Sequence, residues 1–323
     1  MNVEIKGFGL AQADKCVTNQ DLMKIVETSD EWIKERTGIE QRYFSTTENT
    51  SDLGVRASLL AIEDSGIDSK LIDLIIVATI TPDAMMPSTA SLIQAKLGLN
   101  NQKCLAFDVN AACSGFLIAL QNAQAMIQSG FAHNALVVGA ETLSKILNFE
   151  DRTTCILFGD GAGAVLLGQS TRNQTIGHYS RSEGDLEGVL TTDSLMLNPD
   201  FKFNLSQSNY LHMKGQAVFR FAVKAMEDAI TEICRNEKIS LDDIDWIVPH
   251  QANKRIIQHV ATKLNIDINK FYINLNEYGN TSSASIPIAL ADMKNKELLK
   301  KNQRIIMVGF GAGLTWASTY FVV

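Results

Sequence analysis

Three separated segments of the chain carry side chains that could together perform acyl transfer. Cys113 lies in DVNAACSGF, residues 108 to 116, where an apolar run passes through small residues into a helical pattern. His250 lies in VPHQAN, and Asn280 lies in YGNTSSAS. The first turn of a helix presents unpaired N–H groups and a positive dipole end, which favour the thiolate of a cysteine placed there. We therefore predict that Cys113 forms a covalent thioester and that His250 and Asn280 complete its site.

Each of these residue types also has a common structural role. Free cysteines are mostly buried core residues, and Cys104 and Cys155, which lie inside apolar runs, fit that role. An asparagine after a glycine is usually a turn residue, so Asn280 alone indicates little. His250 ends the predicted strand IDWIVP, and strand ends of α/β sheets commonly present side chains to a crevice. Only the combination of all three residues favours the functional interpretation.

Length and composition indicate a protein with a large core. The chain has 323 residues, of which 46% are hydrophobic and 20% charged, which is more than one simple domain requires. It contains no run of about eighteen apolar residues, and its start, MNVEIKGFGL, alternates like a strand. We therefore expect neither a membrane span nor a signal peptide, and a cytoplasmic protein.

Cysteine usage and charge exclude several further classes. The five cysteines include no CxxC pair and no His/Cys cluster, so we expect reduced thiols, no disulfides, no metal and no bound cofactor. The net charge of −7 argues against nucleic-acid binding, because phosphate contacts require a basic surface.

The order of apolar and helical patterns predicts an α/β protein built from two similar halves. Several strand-like runs are apolar on both faces, which predicts sheets buried between helices in the order helix, sheet, helix, sheet, helix. Two pairs of segments resemble each other: GDGAGA at 159–164 and GFGAGL at 309–314, and IDLIIV at 72–77 and IDWIV at 244–248. We predict a boundary near residue 173, which gives halves 1–173 and 174–323.

The motifs AACSGF, VPHQAN, GNTSSAS and GFGAGLTW resemble those of the β-ketoacyl-[acyl-carrier-protein] synthase III family of condensing enzymes. The resemblance includes TSDEWIKERTGI at 28–39 and LFGDGAGAV at 157–165, and so covers nearly the whole chain. It implies a thiolase-like fold of two duplicated halves in five layers, and a homodimer. It also implies that an acyl-CoA primer and malonyl-[acyl-carrier-protein] are the substrates, and that CoA thioesters are substrates rather than cofactors.

The same resemblance implies roles for residues around the nucleophile. An acyl group would be transferred to Cys113, and loss of carbon dioxide from the malonyl group would then create an enolate. His250 Nε2 and the Asn280 amide would donate hydrogen bonds to that enolate. The backbone N–H groups of Cys113 and Ala312 would form an oxyanion hole. The family commonly has glycine where this chain has Ala312, so the assignment requires a negative φ there.

The resemblance also implies residues that bind the substrates. Trp32 and Arg36 match residues that hold the CoA adenine, and Arg152 lies across the entrance. The complete set of positions for CoA is Trp32, Arg36, Arg152, Met213, Gly215 and Gln216, of which the last three match the pantetheine arm.

Further positions match contacts to the carrier protein and the acyl chain. Arg255, with Lys254 and Lys214, would form a local basic patch for an acidic carrier protein. Because the whole chain is acidic, such docking must be local. Met86 matches a dimer-interface residue at the end of the acyl pocket, and Phe310 matches an aromatic residue beside the nucleophile. Methionine is flexible, so acetyl, propionyl and branched primers all remain open.

Other functions remain open on the sequence. A related condensing or acyl-transfer enzyme of secondary metabolism would carry the same Cys-His-Asn site. A transferase that moves an acyl group to an alcohol or amine would need a base as its third residue, and the neutral amide of Asn280 argues against one. If the protein were a cysteine hydrolase or a catalytically silent partner, Cys113 should tolerate replacement without loss of carbon dioxide release from malonyl carrier protein.

Overall fold

The computed structural model of the chain describes residues 2–100, 102–171, 176–193 and 210–323. The predicted boundary between the halves, residue 173, lies outside the described residues. None of the helices within the described ranges is long and apolar enough to cross a membrane.

Strands and helices alternate along the chain. The strands of the described residues are β1 Asn2–Gln12, β2 Lys15–Thr18, β3 Gln41–Phe44, β4 Leu74–Ala78, β5 Leu105–Val109, β6 Asn134–Glu141, β7 Gly161–Ser170, β8 Gly177–Ser182, β9 Leu190–Thr192, β10 Leu211–Met213, β11 Trp246–Pro249, β12 Arg304–Gly311 and β13 Thr315–Val322. The helices are α1 Asn19–Leu22, α2 Asp30–Thr37, α3 Thr50–Ser65, α4 Thr89–Lys96, α5 Gly115–Gln128, α6 Gly215–Glu237, α7 Lys254–Lys263, α8 Leu275–Tyr278 and α9 Ser285–Asn295.

Two mixed sheets form the core. The first has five strands in the order β1-β7-β6-β4-β5, and the second has four in the order β11-β12-β13-β8. The strand β4 runs parallel to β5 and β6, and β11 runs parallel to β12, whereas the other pairs within these sheets are antiparallel. The sequence LIIVA of β4 is buried throughout, as expected for a strand covered on both faces.

Helices cover both sheets and separate them. The helices α3 and α4 pack on the first sheet, and α6 packs on the second. The helix α5 contacts strands of both sheets, and α9 contacts β7 and β1 of the first sheet and β11 of the second. The chain therefore has the five-layered arrangement predicted from its sequence, and the turns that lead into α5 and α9 meet between the sheets.

Of the two pairs of similar segments, one occupies corresponding strands of the two sheets and the other does not. IDLIIV and IDWIV include most of β4 and of β11, each a parallel strand of its sheet. GDGAGA lies mainly within β7, whereas GFGAGL runs from the end of β12 into the following loop, so these segments do not occupy equivalent positions. Small residues recur at both places because backbone approaches closely there, for example at Gly163 and Gly311.

Candidate active site

Cys113 lies in a 3-10 turn, Ala112–Ser114, which follows β5 and leads directly into α5. Ala112 adopts a positive φ of 45°, and the turn places the cysteine at the N-terminal end of the helix. Gly311 allows this close packing, because a Cβ atom there would lie 2.6 Å from the Cys113 nitrogen. Cys113 is 6% exposed, and its Sγ donates to the Ser282 hydroxyl at 3.4 Å.

Burial dominates the ionisation of this thiol. It raises the pKa of Cys113 to about 12, while the hydrogen bond to Ser282 lowers the pKa and the charge of Glu141 raises it further. The expectation that the helix position favours the thiolate is therefore incomplete, because desolvation of the sulfur anion opposes it. At neutral pH the raised pKa favours the protonated thiol, so a nucleophilic role of Cys113 would require transfer of this proton.

His250 follows β11 directly and is held on both sides of its ring. Its backbone N–H donates to the Val308 carbonyl at 2.7 Å, and its ring packs edge-on against Phe310 with centroids 5.4 Å apart. The ring Nδ1 lies 2.6 Å from the Ser285 hydroxyl, which accepts a hydrogen bond from the Gln251 N–H at 3.4 Å. The hydroxyl proton is then available for Nδ1, which favours the tautomer with its proton on Nε2. Burial lowers the pKa of His250 to about 3, so the ring is neutral.

Asn280 is held by the backbone of a segment that is distant in the sequence. Its N–H donates to the Leu157 carbonyl at 2.9 Å, and its carbonyl accepts from the Gly159 N–H at 3.0 Å. Gly279, with a positive φ of 68°, turns the chain into this position. The side-chain Oδ1 accepts from the Ser282 N–H at 2.9 Å. This contact fixes the orientation of the amide and leaves its NH₂ group as a donor.

One cavity contains all three predicted catalytic residues. Its volume is about 640 Å³, and Cys113, His250 and Asn280 lie among its lining residues. Much of the wall is apolar: Ile156, Leu157, Phe158, Leu190, Phe221, Phe310 and Leu314. An apolar wall excludes water and strengthens hydrogen bonds to a developing charge. Across the described ranges, no group of three or more His, Cys, Asp and Glu side chains is placed to hold a metal ion.

The cavity extends to exposed basic residues between α2 and α7. Trp32, Arg36 and Arg255 line it, and the Asn253 side chain joins the two helices by donating to the Arg36 carbonyl at 3.0 Å. The guanidinium groups of Arg36 and Arg152 each lie 5.6 Å from the Trp32 ring centroid. Met213, Gly215 and Gln216 also line the cavity, at the end of β10 and the start of α6.

Some of the predicted site residues lie outside the lining of this cavity: Arg152, Lys214, Lys254, Met86 and Ala312. Arg152 instead packs on Trp32, and Lys214 Nζ donates to the Glu187 carbonyl at 2.5 Å. Met86 is 84% exposed. Ala312 directly follows Gly311, which lines the cavity, and its φ is not positive, so the methyl group introduces no backbone strain.

The sequence arguments missed three polar residues, two of which contact the predicted catalytic side chains directly. Ser282 contacts both Cys113 and Asn280, and Ser285 contacts the His250 ring. Both serines stand in the segment TSSAS, where a run of hydroxyl residues before a helix was the available signal. Glu141, at the end of β6, gave no such signal, because its contacts come from distant segments.

Comparison with known proteins identifies the family. The sequence profile of 3-oxoacyl-[acyl-carrier-protein] synthase III matches residues 107–184, and the profile of its C-terminal part matches residues 234–323. A β-ketoacyl-[acyl-carrier-protein] synthase III of Clostridium perfringens strain SM101 is 52% identical over 319 residues, which cover 98% of each chain. The chain belongs to the β-ketoacyl-[acyl-carrier-protein] synthase III family. The predicted family and enzyme class, an acyltransferase of the condensing type, are thereby confirmed.

Solved synthase III structures confirm the fold. The 3-oxoacyl-[acyl-carrier-protein] synthase III from Aquifex aeolicus VF5 is 40% identical, covers 100% of both chains and superimposes with a TM-score of 0.93. The priming β-ketosynthase from the R1128 polyketide biosynthetic pathway is 31% identical, with a TM-score of 0.92, over 99% of this chain and 96% of that one. The thiolase-like architecture is therefore shared by synthase III enzymes and by a polyketide priming enzyme.

Proposed function

We propose that this synthase III joins a short-chain acyl-CoA primer to malonyl-[acyl-carrier-protein] with loss of carbon dioxide, and so initiates type II fatty acid synthesis. The observation that carries the proposal is a buried thiol that shares one apolar cavity with two neutral hydrogen-bond donors, His250 and Asn280. Neutral donors suit an enolate, which needs stabilisation of its negative oxygen without a proton-accepting base nearby.

The first step transfers the acyl group to Cys113. The sulfur attacks the thioester carbonyl, the bond to the CoA sulfur breaks, and the proton of the Cys113 thiol ends on the released CoA. The high pKa of the resting thiol means that the proton must move as the new bond forms. The hydrogen bond to the Ser282 hydroxyl assists, because it favours the sulfur anion.

The second step generates the carbon nucleophile from the malonyl group. The carboxylate bond breaks to release carbon dioxide, and the electron pair moves onto the thioester oxygen as an enolate. His250 Nε2 and the Asn280 NH₂ group donate to that oxygen, and a preorganised donor of this kind contributes about 3 kcal/mol. The contacts to Ser285 and Ser282 that orient the two donors support these roles.

The third step forms the carbon–carbon bond. The enolate carbon attacks the acyl carbonyl on Cys113, and the tetrahedral oxyanion collapses to expel the cysteine sulfur. We assign the backbone N–H groups of Cys113 and Ala312 to this second oxyanion. The position of Cys113 in the first turn before α5 and the ordinary φ of Ala312 support the assignment.

We assign CoA binding to the exposed end of the cavity. An indole ring and guanidinium groups suit an aromatic base with adjoining phosphates, and Trp32, Arg36 and Arg152 lie together there. Because both arginines already lie beside the indole, we expect an incoming adenine to displace one of them. The pantetheine arm would then pass Met213, Gly215 and Gln216, which line the same cavity.

Arg255, Lys254 and Lys214 are assigned to docking of the acidic carrier protein. Arg255 and Lys254 are exposed in the first turn of α7, next to the cavity entrance. Lys214 is also exposed, but its ammonium group is engaged by the Glu187 carbonyl, so its contribution requires this contact to open. A local patch of this type guides an acidic partner in an otherwise acidic protein.

We propose a homodimer that completes the acyl pocket. The strand β5 is an edge of its sheet, and Leu105 on it is 44% exposed. An open edge can pair with the same strand of a second copy. Met85 and Met86 are 75% and 84% exposed, as expected for residues that a partner would cover. Met86 would then reach the acyl end of the partner's cavity, beside Phe310, and influence primer length.

We further propose that the enzyme acts in the cytoplasm and needs neither a metal nor a bound cofactor. The two substrates bring the reactive thioesters, and the leaving carboxylate supplies the electron pair for the new bond. The hydrogen-bond donors of the cavity then suffice for the charge that develops in each step.

The proposal is tested by offering acetyl-, propionyl-, butyryl- and isobutyryl-CoA with malonyl-[acyl-carrier-protein] and identifying the products by mass spectrometry. We expect 3-oxoacyl-[acyl-carrier-protein] with one carbon dioxide released for each product. Acyl transfer to water, an alcohol or an amine without release of carbon dioxide would refute the proposal. Condensation confined to unusual primers would instead assign the enzyme to a specialised pathway.

A further inference from the structure

Glu141, the last residue of β6, is a buried carboxyl group that the proposed reaction does not use. It is 0% exposed, and its hydrogen-bond partners within the described residues, which include the Ser282 side chain, are all neutral groups. Its Oε2 accepts from the hydroxyls of Thr79 and Thr81 at 3.2 and 2.6 Å, and from the N–H groups of Ile80 and Thr81 at 3.1 and 3.2 Å. Its Oε1 lies 2.7 Å from Ser283 Oγ.

The protons available around Ser283 do not suffice if Glu141 is ionised. Ser283 Oγ lies 2.7 Å from Glu141 Oε1 and 2.8 Å from the Ala78 carbonyl oxygen. Both distances are those of full O–H···O hydrogen bonds, and each needs its own proton. A serine has one hydroxyl proton, and a carbonyl oxygen has none. Of the two groups that contact Ser283 Oγ at these distances, only Glu141 can carry a second proton.

We propose that Glu141 is held as a neutral carboxylic acid whose Oε1–H donates to Ser283 Oγ, and that this bond positions the turn that carries the catalytic contacts. The Ser283 hydroxyl then donates to the Ala78 carbonyl. Oε2, which accepts the hydrogen bonds from the segment Thr79–Thr81, is the carbonyl oxygen of the acid. Burial supports this state, because desolvation is the largest influence on the pKa of Glu141 and raises it, although the hydrogen bond from the Thr81 side chain lowers it.

The turn Ser282–Ala284 connects Glu141 to the active site. Within it, the Ser282 N–H holds the Asn280 amide at 2.9 Å, and the Ser282 hydroxyl accepts from Cys113 at 3.4 Å. Glu141 is thus a positioning residue that acts through Ser283. Its importance for catalysis rests on the proposed roles of Cys113 and Asn280, whereas its protonation state does not.

The charge of Glu141 also affects the nucleophile directly. An ionised Glu141 raises the pKa of Cys113, so the neutral acid makes the sulfur anion easier to form. The titratable groups near it are Cys113, on the turn before α5, and Lys145, on the 3-10 turn Leu143–Ile146. The segment Thr79–Thr81 and the turn Ser282–Ala284 present only neutral groups.

The raised pKa has a defined effect on stability. Because the folded protein binds this proton more tightly than the unfolded chain, the contribution of Glu141 is complete below its ordinary pKa of 4.5. The contribution is lost as the pH rises through the higher pKa of the folded state. Glu141→Gln, which cannot ionise, should remove this loss.

Infrared spectroscopy tests the protonation state directly at neutral pH. A protein labelled with ¹³C at its glutamate carboxyl groups should show a shift in the C=O stretching band of a protonated carboxyl, which separates it from any aspartic acid. Glu141→Gln should remove this band, and Glu63→Gln, at an exposed position of α3, should keep it. If Glu141→Gln does not fold, Ser283→Ala should move the band, because the acceptor of its O–H is gone. The absence of a label-sensitive band in the wild type would overturn the proposal.

Kinetics test the positioning role. Glu141→Gln can donate to Ser283 through its amide and accept through its carbonyl, so we expect condensation within about threefold of the wild type. Glu141→Asp draws the carboxyl away from Ser283 and should lower condensation by up to about 100-fold.

The pH profile separates positioning from a merely structural role. The rate of Cys113 alkylation by iodoacetamide is measured against pH and corrected for the rising thiolate fraction. In the wild type this corrected rate should decline at alkaline pH as Glu141 ionises. The Glu141→Gln enzyme should lack that decline. Identical profiles, or a folded Glu141→Gln enzyme that loses tenfold or more in condensation, would overturn the positioning role. A glutamic acid band in a protein that fails to condense would refute the proposed function and leave the protonation state established.

Discussion

The turn that carries Cys113 and the turn that leads into α9 share one local form but differ in what faces them. Ala112–Ser114 and Ser282–Ala284 are both 3-10 turns, and each begins with a non-glycine residue at positive φ, 45° and 49° respectively. Each leads directly into a helix between the sheets and lies against glycine residues of a strand, Gly309 and Gly311 for the first turn and Gly139 for the second. The backbone framework is thus duplicated.

What faces each turn differs because β6 and β12 end in different residues. The strands β6 and β12 each have eight residues, and Glu141 occupies in β6 the place that Gly311 occupies in β12. Beside Gly311 there is space for a substrate, and Cys113 lines the cavity. Beside Glu141 the space is filled, and the Ser283 hydroxyl is bound by the carboxyl group and the Ala78 carbonyl. The same turn therefore carries the proposed nucleophile in one case and the proposed positioning element in the other.

The largest effect is expected from removing Cys113, the proposed nucleophile. Cys113→Ala should lower condensation by at least about 10³-fold and abolish the acetyl adduct seen by intact mass after mixing with acetyl-CoA. Adding Ser283→Cys to this variant should restore neither, because position 283 faces Glu141 rather than the cavity. Cys155→Ala, at a buried cysteine outside the cavity lining, should keep the adduct. An adduct on Cys113→Ala protein would show that another group is the nucleophile.

A smaller and selective effect is expected at Asn280. Asn280→Asp keeps the shape but replaces a donor by an anionic acceptor, so release of carbon dioxide should slow by about 10²- to 10³-fold. Loading of Cys113 from acetyl-CoA should change much less, because the amide acts on the enolate. Single-turnover loading and carbon dioxide release, measured separately, give the two rates. Asn122→Asp, at an exposed position of α5, is the matched control. Equal slowing of both rates would contradict the assigned role.

The smallest effect is expected where the two turns touch. Ser282→Ala removes the hydroxyl that lowers the pKa of Cys113, so alkylation of the thiol by iodoacetamide at neutral pH should slow by about three- to tenfold. Alanine tolerates the positive φ required, as Ala112 demonstrates in the other turn. Ser129→Ala, after the end of α5, should leave the rate unchanged. If alkylation is unchanged or faster in Ser282→Ala, the contact between Ser282 and Cys113 does not increase the reactivity of the thiol.

The sequence alone determined the layered fold and the three central residues of the candidate site. Buried strands such as LIIVA are apolar throughout, and segments with helical periodicity follow them. These local patterns therefore predict the alternation of sheet and helix layers. Cys113, His250 and Asn280 each stand where a strand or turn meets a helix, and small or polar neighbours mark those places. Local signals of this kind can be recognised in the sequence without knowledge of the tertiary contacts.

Only the tertiary structure decided how these residues are charged and held. The pKa values of Cys113 and His250 depend on burial, and burial arises from segments that are distant in the sequence. The contact between Ser282 and Cys113 joins residues 169 positions apart, and the contact between Glu141 and Ser283 joins residues 142 positions apart. Desolvation and hydrogen bonding act between segments that are distant in the sequence. No local pattern could therefore reveal that β12 ends in a glycine that lines the cavity, whereas β6 ends in a buried acid.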